Sequence, residues 1–299
     1  MNNIIYMTIK ERTLKVIVME RKIKAKVTGF RAVDGAGVSL VRVLGNETTK
    51  MFDPILMLDS FDSTNPSDYI AGFPMHPHRG IETVSYLYKG KMIHKDTLGN
   101  VDSIGDGEVQ WMNSGSGIEH EEQVPASERL LGVQLWLNLP QADKMSQPTY
   151  TKIKRADIKE IEFDGGFLRL LSGRYKGIQG HKGEYLPLDY YDIHLNENTE
   201  FVIKTEADYS VMVFTLIGDA YVSGQLIKEK TAVKLTDGDK LVLKGTDKPS
   251  QILYISSKAL NEEISWAGPI VMNTKKEIQE AFSDLRNKTF IRDAIDFKK

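Results

Sequence analysis

Short apolar runs with alternating or β-branched side chains recur along most of the chain, and glycine-containing turns close them. Residues 38–44 are followed by Gly45-Asn46, and residues 82–88 are followed by Lys89-Gly90. Runs of this length are typical of β-strands, and many of them at regular spacing indicate a barrel or a double-sheet jelly roll. The pattern therefore predicts an all-β protein.

The two halves of the chain repeat this pattern loosely. Leu87-Tyr-Lys-Gly90 followed by Gly105-Asp-Gly107 resembles Leu216-Ile-Gly218 followed by Asp237-Gly-Asp239. An internal duplication of one β-barrel explains the similarity. We predict two tandem barrels, with these boundaries: an N-terminal extension at 1–24, a first barrel at 25–140, a linker at 141–160, a second barrel at 161–272, and a helix with tail at 273–299.

The C-terminal segment is the one predicted helix. Thr274-Lys-Lys-Glu277 is a capping box, in which the Thr hydroxyl and the Glu carboxylate satisfy unpaired N–H groups. Apolar residues then follow at i, i+3, i+4 and i+7, which predicts a helix that packs one face against the β-structure. These residues are Ile278, Ala281, Phe282 and Leu285.

Composition narrows the class of protein. The 299 residues carry a net charge of −2 and 41% hydrophobic residues, which is typical of a globular domain without a nucleic-acid partner. The chain has no cysteine, which excludes disulfides, thiolate metal sites and cysteine nucleophiles. No apolar run approaches the roughly 20 residues that span a bilayer. We predict a cytoplasmic protein that binds neither nucleic acid nor membrane.

Two pairs of polar residues are the candidate chemistry. His76 and His78 lie two residues apart, and so do His120 and Glu122. Members of an i, i+2 pair point to the same face of a strand, so two such pairs on neighbouring strands direct three imidazoles and one carboxylate at one point. This set suits a divalent first-row metal such as iron, manganese, nickel or zinc.

Glu82 competes for the fourth ligand position, because it lies at His78 + 4 and shares the parity of the pair. If it does not bind metal, we expect it to orient a ligand imidazole or to handle a proton. Ser114-Gly-Ser-Gly117 lacks the Lys-Ser/Thr ending of a phosphate loop and is interpreted as a turn. Trp111 and Trp136 are interpreted as barrel core rather than as a substrate platform.

Several longer motifs closely resemble the pirin family of the cupin superfamily. They are Gly72-Phe-Pro-Met-His-Pro-His-Arg-Gly-Ile-Glu-Thr-Val, Gly107-Glu-Val-Gln-Trp-Met, Gly115-Ser-Gly-Ile-Glu-His-Glu-Glu, Gly132-Val-Gln-Leu-Trp-Leu-Asn-Leu and Gly268-Pro-Ile-Val-Met-Asn-Thr. The resemblance covers nearly the whole chain from about residue 25. It implies a bicupin whose first barrel holds one divalent metal and whose second barrel holds none. The family's ligands fall on His76, His78, His120 and Glu122.

The resemblance also implies a function and an alternative. Some members are similar to quercetin 2,3-dioxygenases, which open a flavonol ring with O₂, and we expect that activity on a flavonol or a similar enolisable aromatic. Fe²⁺ is the expected metal, with Mn, Ni, Zn or Cu as alternatives, and Glu122 or Glu82 would take the substrate's proton. Eukaryotic members are described as nuclear transcription co-regulators. The alternative is therefore an iron-containing, redox-sensing regulator that binds a protein partner. No substrate-binding residue is assigned.

Overall fold

A computed structural model of the chain describes residues 4–9 and 12–292, with side chains from residue 18 onward. As the alternating pattern predicts, the described residues form mainly β-strands, with two short α-helices. The strands of the first half are β1 (Ile4–Ile9), β2 (Arg12–Ile17), β3 (Ile23–Thr28), β4 (Phe30–Asp34), β5 (Val38–Leu44), β6 (Ile55–Ser63), β7 (Phe73–His78), β8 (Ile81–Lys89), β9 (Met92–Asp96), β10 (Val101–Ile104), β11 (Glu108–Asn113), β12 (Ile118–Gln123), β13 (Leu130–Asn138) and β14 (Thr149–Ile153).

The strands of the second half are β15 (Lys159–Phe163), β16 (Gly166–Ser172), β17 (Arg174–Tyr175), β18 (Ile178–Gln179), β19 (Leu188–Leu195), β20 (Glu200–Lys204), β21 (Ser210–Ile217), β22 (Ala220–Val222), β23 (Gln225–Ile227), β24 (Thr231–Leu235), β25 (Lys240–Gly245), β26 (Ser250–Ser257), β27 (Ser265–Ala267) and β28 (Ile270–Met272). The α-helices are α1 (Thr49–Phe52) and α2 (Lys275–Asn287). The all-β class and the C-terminal helix are confirmed.

The chain divides into two compact units, each discontinuous in sequence. The histidine unit, named for the two histidine motifs it contains, comprises Gly29–Lys159, Gly180–Pro187 and the chain from Leu260. The second unit comprises the chain up to Thr28, Glu160–Gln179 and Leu188–Ala259.

The predicted domains are continuous segments and therefore differ from these units. β3 pairs with β24 and so belongs with the second unit. Ile270 forms a bridge with Arg79, which places β28 in the histidine unit. Parts of the predicted extension at 1–24 (residues 1–3, 10 and 11) and of the predicted tail (residues 293–299) lie outside the described residues.

The histidine unit contains a seven-stranded sheet in the order β14-β11-β8-β13-β6-β5-β4 and a four-stranded sheet in the order β10-β9-β12-β7. Apolar side chains from both sheets share one buried cluster, in which Val38 and Leu87 of the large sheet join Met92 and Ile104 of the small one. The two sheets therefore pack face to face, and the polar pairs lie on β7 and β12 of the smaller sheet.

The second unit repeats the arrangement. Its seven-stranded sheet has the order β15-β16-β19-β26-β21-β24-β3, and its four-stranded sheet has the order β20-β25-β22-β23. Its apolar core includes Leu168, Val213 and Leu241. The repeated pair of sheets is what an internal duplication predicts.

Helix α2 begins with the predicted capping box. The Thr274 hydroxyl accepts a hydrogen bond from the Glu277 backbone N–H at 3.2 Å, and the Thr274 N–H donates to the Glu277 carboxylate at 2.7 Å. Ile278 and Ala281 pack on Ile270 and Met272 of the histidine unit. In the described part of the chain, no helix is long and apolar enough to cross a membrane.

Candidate metal centre

Strand pairing brings the two polar pairs together. β12 lies between β7 and β9, with His120 opposite His76 and Ile118 opposite His78. Along β12 the side chains of Ile118, His120 and Glu122 are buried, whereas Glu119 and Glu121 are partly exposed. His120 and Glu122 therefore share the inner face, as the alternation predicts.

A bulge in β7 shifts the register of this strand against β12, between the partners of His120 and Glu122. His120 pairs with His76 but Glu122 pairs with Phe73, so β7 carries one extra residue there. Pro74 lies in this bulge, where its missing N–H removes no ladder bond. Its carbonyl oxygen lies 2.8 Å from His76 Nδ1. The bulge thereby supplies a hydrogen-bond acceptor to one of the candidate ligands.

The three imidazoles form a compact group. His76, His78 and His120 each offer a ring nitrogen, and these nitrogens lie within 4.8 Å of one another. Ring centroids are 4.4 Å apart for His76 and His120, and 5.1 Å apart for His78 and His120. Among the described residues, this is the group of histidines and carboxylates that has metal-binding spacing.

Hydrogen bonds fix which ring nitrogens carry a lone pair. His76 Nδ1 donates to the Pro74 carbonyl, and His78 Nδ1 donates to the Pro269 carbonyl at 2.9 Å. A carbonyl can only accept, so in each neutral ring Nε2 keeps its lone pair. His120 Nε2 is buried and has no hydrogen-bond partner among the described residues. A buried nitrogen without a partner is costly unless a bound group satisfies it, so this donor set fits a metal ion.

Burial favours the neutral form of His78 and His120. It lowers the pKa of His78 to about 3, with further lowering by His76 and a small opposing effect of the Pro269 carbonyl. Burial, followed by the neighbouring imidazoles, also lowers the pKa of His120 well below its usual value. Neutral imidazole is the form that binds metal, so the site is prepared for it near neutral pH.

Glu122 lies on the same face of β12 as His120 and is 1% exposed. Its carboxylate accepts hydrogen bonds from the Gln110 side-chain amide and from Gln134 Nε2, the latter at 3.0 Å. Burial raises its pKa, whereas His76, His94 and the two amides lower it. Two amides thus orient the carboxylate, and its role as fourth ligand stays a prediction.

Glu82 contacts Trp111 rather than the histidine cluster. Its Oε1 accepts a hydrogen bond from Trp111 Nε1 at 3.0 Å, and burial raises its pKa to about 7. On the same strand, Ser85 accepts a hydrogen bond from Gln134 and so faces the Glu122 network. Positions 82 and 85 have opposite parity on β8, so Glu82 points to the other face.

The turn between β7 and β8 explains why Glu82 does not share the face of His78. Gly80 has φ +80°, and a Cβ there would lie 2.1 Å from the Val271 carbonyl oxygen. This turn breaks the strand, so parity counted from His78 does not extend to Glu82. An orienting or proton-transfer role of Glu82 at the metal remains a prediction without a contact to support it.

A cavity of about 580 Å³ opens beside His76 and His78. Trp136 lies in its wall, with its ring centroid 5.0 Å from that of His78 and 5.7 Å from that of Trp266. Trp136 is buried, as interpreted from the sequence, but it also faces the cavity. Met57 contributes a further apolar surface.

Several polar residues around the site are not among the sequence predictions. Gln110 and Gln134 hold Glu122, and His94 lies with its Nδ1 3.4 Å from His120 Nδ1. Each is a buried polar residue that directly follows an apolar residue in its strand. That signal is present in the sequence, but the partner of each residue depends on strand order.

Two duplicated double-sheet units, one of which contains a three-histidine cluster, define the protein as a bicupin. Comparison with known sequences shows that the chain belongs to the pirin family. The profile described as Pirin matches residues 37–137, and the profile described as Pirin C-terminal cupin domain matches residues 190–291. The chain is 38% identical over 269 residues to a pirin-like protein of Caulobacter vibrioides, covering 88% of this chain and 97% of that protein.

Solved structures agree with this assignment. A crystal structure of quercetin 2,3-dioxygenase from Acinetobacter baumannii is similar with a TM-score of 0.83 and 30% identity, covering 91% of this chain and 99% of that chain. The bacterial pirin YhhW from Escherichia coli, in complex with nickel(II), shares the fold with a TM-score of 0.60 and 20% identity, covering 78% and 97%.

Proposed function

We propose that the protein is a metal-dependent dioxygenase of the quercetin 2,3-dioxygenase type. The observation that carries the proposal is the convergence of three histidines, one with a buried nitrogen that has no partner among the residues that the structure describes. The 30% identity to a protein described as a quercetin 2,3-dioxygenase supports the choice of reaction. The substrate would be a flavonol or a similar enolisable aromatic, and the co-substrate would be O₂.

His76, His78, His120 and Glu122 are the proposed metal ligands. Imidazole and carboxylate without thiolate suit a divalent first-row metal, and we propose Fe²⁺, with Mn, Ni, Zn and Cu as alternatives. The E. coli pirin binds nickel(II) on the same fold, which supports a divalent ion. When bound, such a metal serves as a Lewis acid and as a template for substrate.

The protein's own side chains supply the substrate site. Trp136, Trp266 and Met57 give one side of the cavity an apolar wall against which a flat aromatic ring would pack. Glu122 lies beside the histidines and is proposed to take the proton of the substrate hydroxyl. Gln110 and Gln134 hold that carboxylate in one orientation.

Oxygen uptake with a panel of flavonols tests the proposal. We expect uptake that depends on flavonol, stops on chelation and returns when Fe²⁺ is restored. The necessary control is His78→Ala with the same added iron, because iron in solution oxidises flavonols without protein. Equal rates of oxygen uptake for the variant and the wild type would refute the proposed enzymatic activity.

The alternative function, an iron-containing regulator that binds a protein partner, predicts metal binding without flavonol-dependent uptake. Capture of a partner that depends on the oxidation state of the iron would favour it. The cytoplasmic location stays a prediction from the sequence.

A further inference from the structure

We propose that His94 and Asp96 are positioning residues that set the tautomer of His120 and so direct the lone pair of His120 Nε2 into the metal centre. The inference rests on the proposed function, since it takes His120 to be a metal ligand. It assigns a role to two buried residues of β9 that are not ligand candidates themselves.

Hydrogen bonds run from Asp96 through His94 to His120, and we call this series the relay. It begins at the Asp96 carboxylate, which can only accept hydrogen bonds. Asp96 Oδ1 accepts from the backbone N–H groups of Leu98 at 2.9 Å and of Asn100 at 3.1 Å. Asp96 Oδ2 accepts from Asn100 Nδ2 at 2.9 Å and lies 2.9 Å from His94 Nε2. An ionised carboxylate has no proton to give, so His94 Nε2 carries the hydrogen.

The next step follows from the tautomer of His94. With its proton on Nε2, His94 has a lone pair on Nδ1, and this nitrogen faces His120 Nδ1 at 3.4 Å. One hydrogen must lie between the two nitrogens, and only His120 can supply it. His120 is then protonated on Nδ1, which leaves the lone pair on Nε2. This is the buried nitrogen that has no partner in the described part of the chain.

Packing holds the relay in place. His94 is fully buried, and its ring stacks on Tyr150 with centroids 4.2 Å apart and planes inclined by 16°. In the ladder between β9 and β12, Asp96 pairs with His120 and His94 pairs with Glu122. The imidazole therefore cannot rotate out of line without displacing a buried ring. Outer partners of this kind fix the orientation and tautomer of metal-binding histidines.

The sharpest test is Asp96→Asn. The new amide can keep its oxygen towards the Leu98 and Asn100 backbone N–H groups, which turns its NH₂ towards His94 Nε2. The side-chain amide of Asn100, which donates to Asp96 Oδ2 in the wild type, must then turn to present its oxygen to this NH₂. His94 would then accept at Nε2 and donate from Nδ1, and His120 would be forced to carry its proton on Nε2. No side chain is removed, yet the lone pair is turned away from the metal centre.

Two measurements report the result. The ¹⁵N chemical shifts of the histidine rings in metal-free protein should show His120 protonated on Nδ1 in the wild type and on Nε2 in Asp96→Asn. Titration of Co²⁺ into the metal-free protein should show an affinity about 10–100-fold lower in the variant, the usual effect of losing an outer-shell partner. The tautomer is a signature that a merely structural role would leave unchanged.

The second unit provides a matched control. Asp192 Oδ2 lies 3.0 Å from His194 Nε2, and this Asp–His pair has the same i, i+2 spacing. It lies in the unit whose described residues hold no cluster with metal-binding spacing. Asp192→Asn should leave Co²⁺ affinity at the wild-type value. If Asp96→Asn does not fold, the comparison moves to His94→Asn, which keeps an acceptor facing His120 Nδ1, and His94→Leu, which removes it. Only the Leu variant should lose affinity.

The outcomes separate this inference from the function on which it rests. If His120→Ala loses Co²⁺ but Asp96→Asn keeps both the wild-type affinity and the wild-type tautomer, the relay is wrong and the metal site stands. If His120→Ala binds Co²⁺ as tightly as the wild type, the proposed metal site fails and the relay fails with it.

Discussion

His78 Nδ1 donates a hydrogen bond of 2.9 Å to the carbonyl oxygen of Pro269, which lies 191 residues further along the chain. This bond fixes the tautomer of a candidate ligand through a segment that the sequence assigns to the second barrel. The buried Lys144 ammonium strengthens the link, because it donates to the carbonyl oxygens of both Gly80 and Val271. The C-terminal segment is thus part of the candidate metal centre.

The first prediction concerns metal content. We expect close to one divalent metal per chain, and near zero in His76→Ala, His78→Ala or His120→Ala, because each variant removes one of three converging nitrogens. Elemental analysis of protein purified without tags or added metal provides the measurement. His194→Ala, in the second unit, is the matched control and should keep the wild-type content. Metal retained by the combined variant at His76, His78, His120 and Glu122 would contradict the site.

The second prediction separates the two buried glutamates. Glu122→Gln should abolish tight metal binding, because it removes the carboxylate beside the histidines. Glu82→Gln should leave the affinity within a few-fold of the wild type, since Glu82 contacts Trp111 rather than the cluster. Isothermal titration of the metal-free proteins with Co²⁺ decides between them. An empty site in Glu82→Gln with a full one in Glu122→Gln would reverse the assignment.

Local periodicity explains why much of the site is predictable. The i, i+2 spacing of His120 and Glu122 is a property of one strand, and both residues are buried on β12. The same argument fails for Glu82, because it counts parity across the turn at Gly80. Alternation is thus informative within a strand and uninformative across a change of direction.

The pattern of apolar and polar residues cannot predict side-chain contacts that depend on the order of strands in a sheet. His94 contacts His120 only because β9 lies beside β12, and nothing local to either strand dictates that neighbour. The boundaries of the two units also depend on strand order and are not predictable from the local pattern. β3 precedes the histidine unit in the chain, yet its hydrogen bonds go to β24.

The third prediction concerns the cavity. Trp266→Ala should raise the KM for flavonol about tenfold, because an aromatic contact worth roughly 1.5 kcal/mol is lost. Metal content should not change, since Trp266 contacts Trp136 and the Gly268 carbonyl rather than the ligands. Steady-state kinetics with matched metal loading gives the comparison, and Trp266→Phe, which keeps a ring, should remain close to the wild type. An unchanged KM in the Ala variant would place the substrate elsewhere.

The last prediction concerns pH and stability. Burial raises the pKa of Glu82 from 4.5 to about 7, against a smaller lowering by the Trp111 hydrogen bond. A carboxyl group with a raised pKa binds its proton more tightly in the folded state, so its stabilising effect is complete below pH 4.5 and is lost as pH rises towards 7. Between those limits the wild type should lose up to about 3 kcal/mol relative to Glu82→Gln, which keeps an oxygen for Trp111 and does not titrate.

Urea unfolding of metal-free protein at pH 5 and pH 8 measures this difference. The three tryptophans of the chain, Trp111, Trp136 and Trp266, all lie in the histidine unit, so their fluorescence reports on that unit. Other titrating groups affect both proteins and cancel in the comparison. We expect the free energy of unfolding of Glu82→Gln to increase relative to that of the wild type as pH rises. The wild type must ionise a buried carboxyl group whose second oxygen has no hydrogen-bond partner among residues 4–9 and 12–292. The same stability difference at both pH values would mean that Glu82 does not carry a raised pKa.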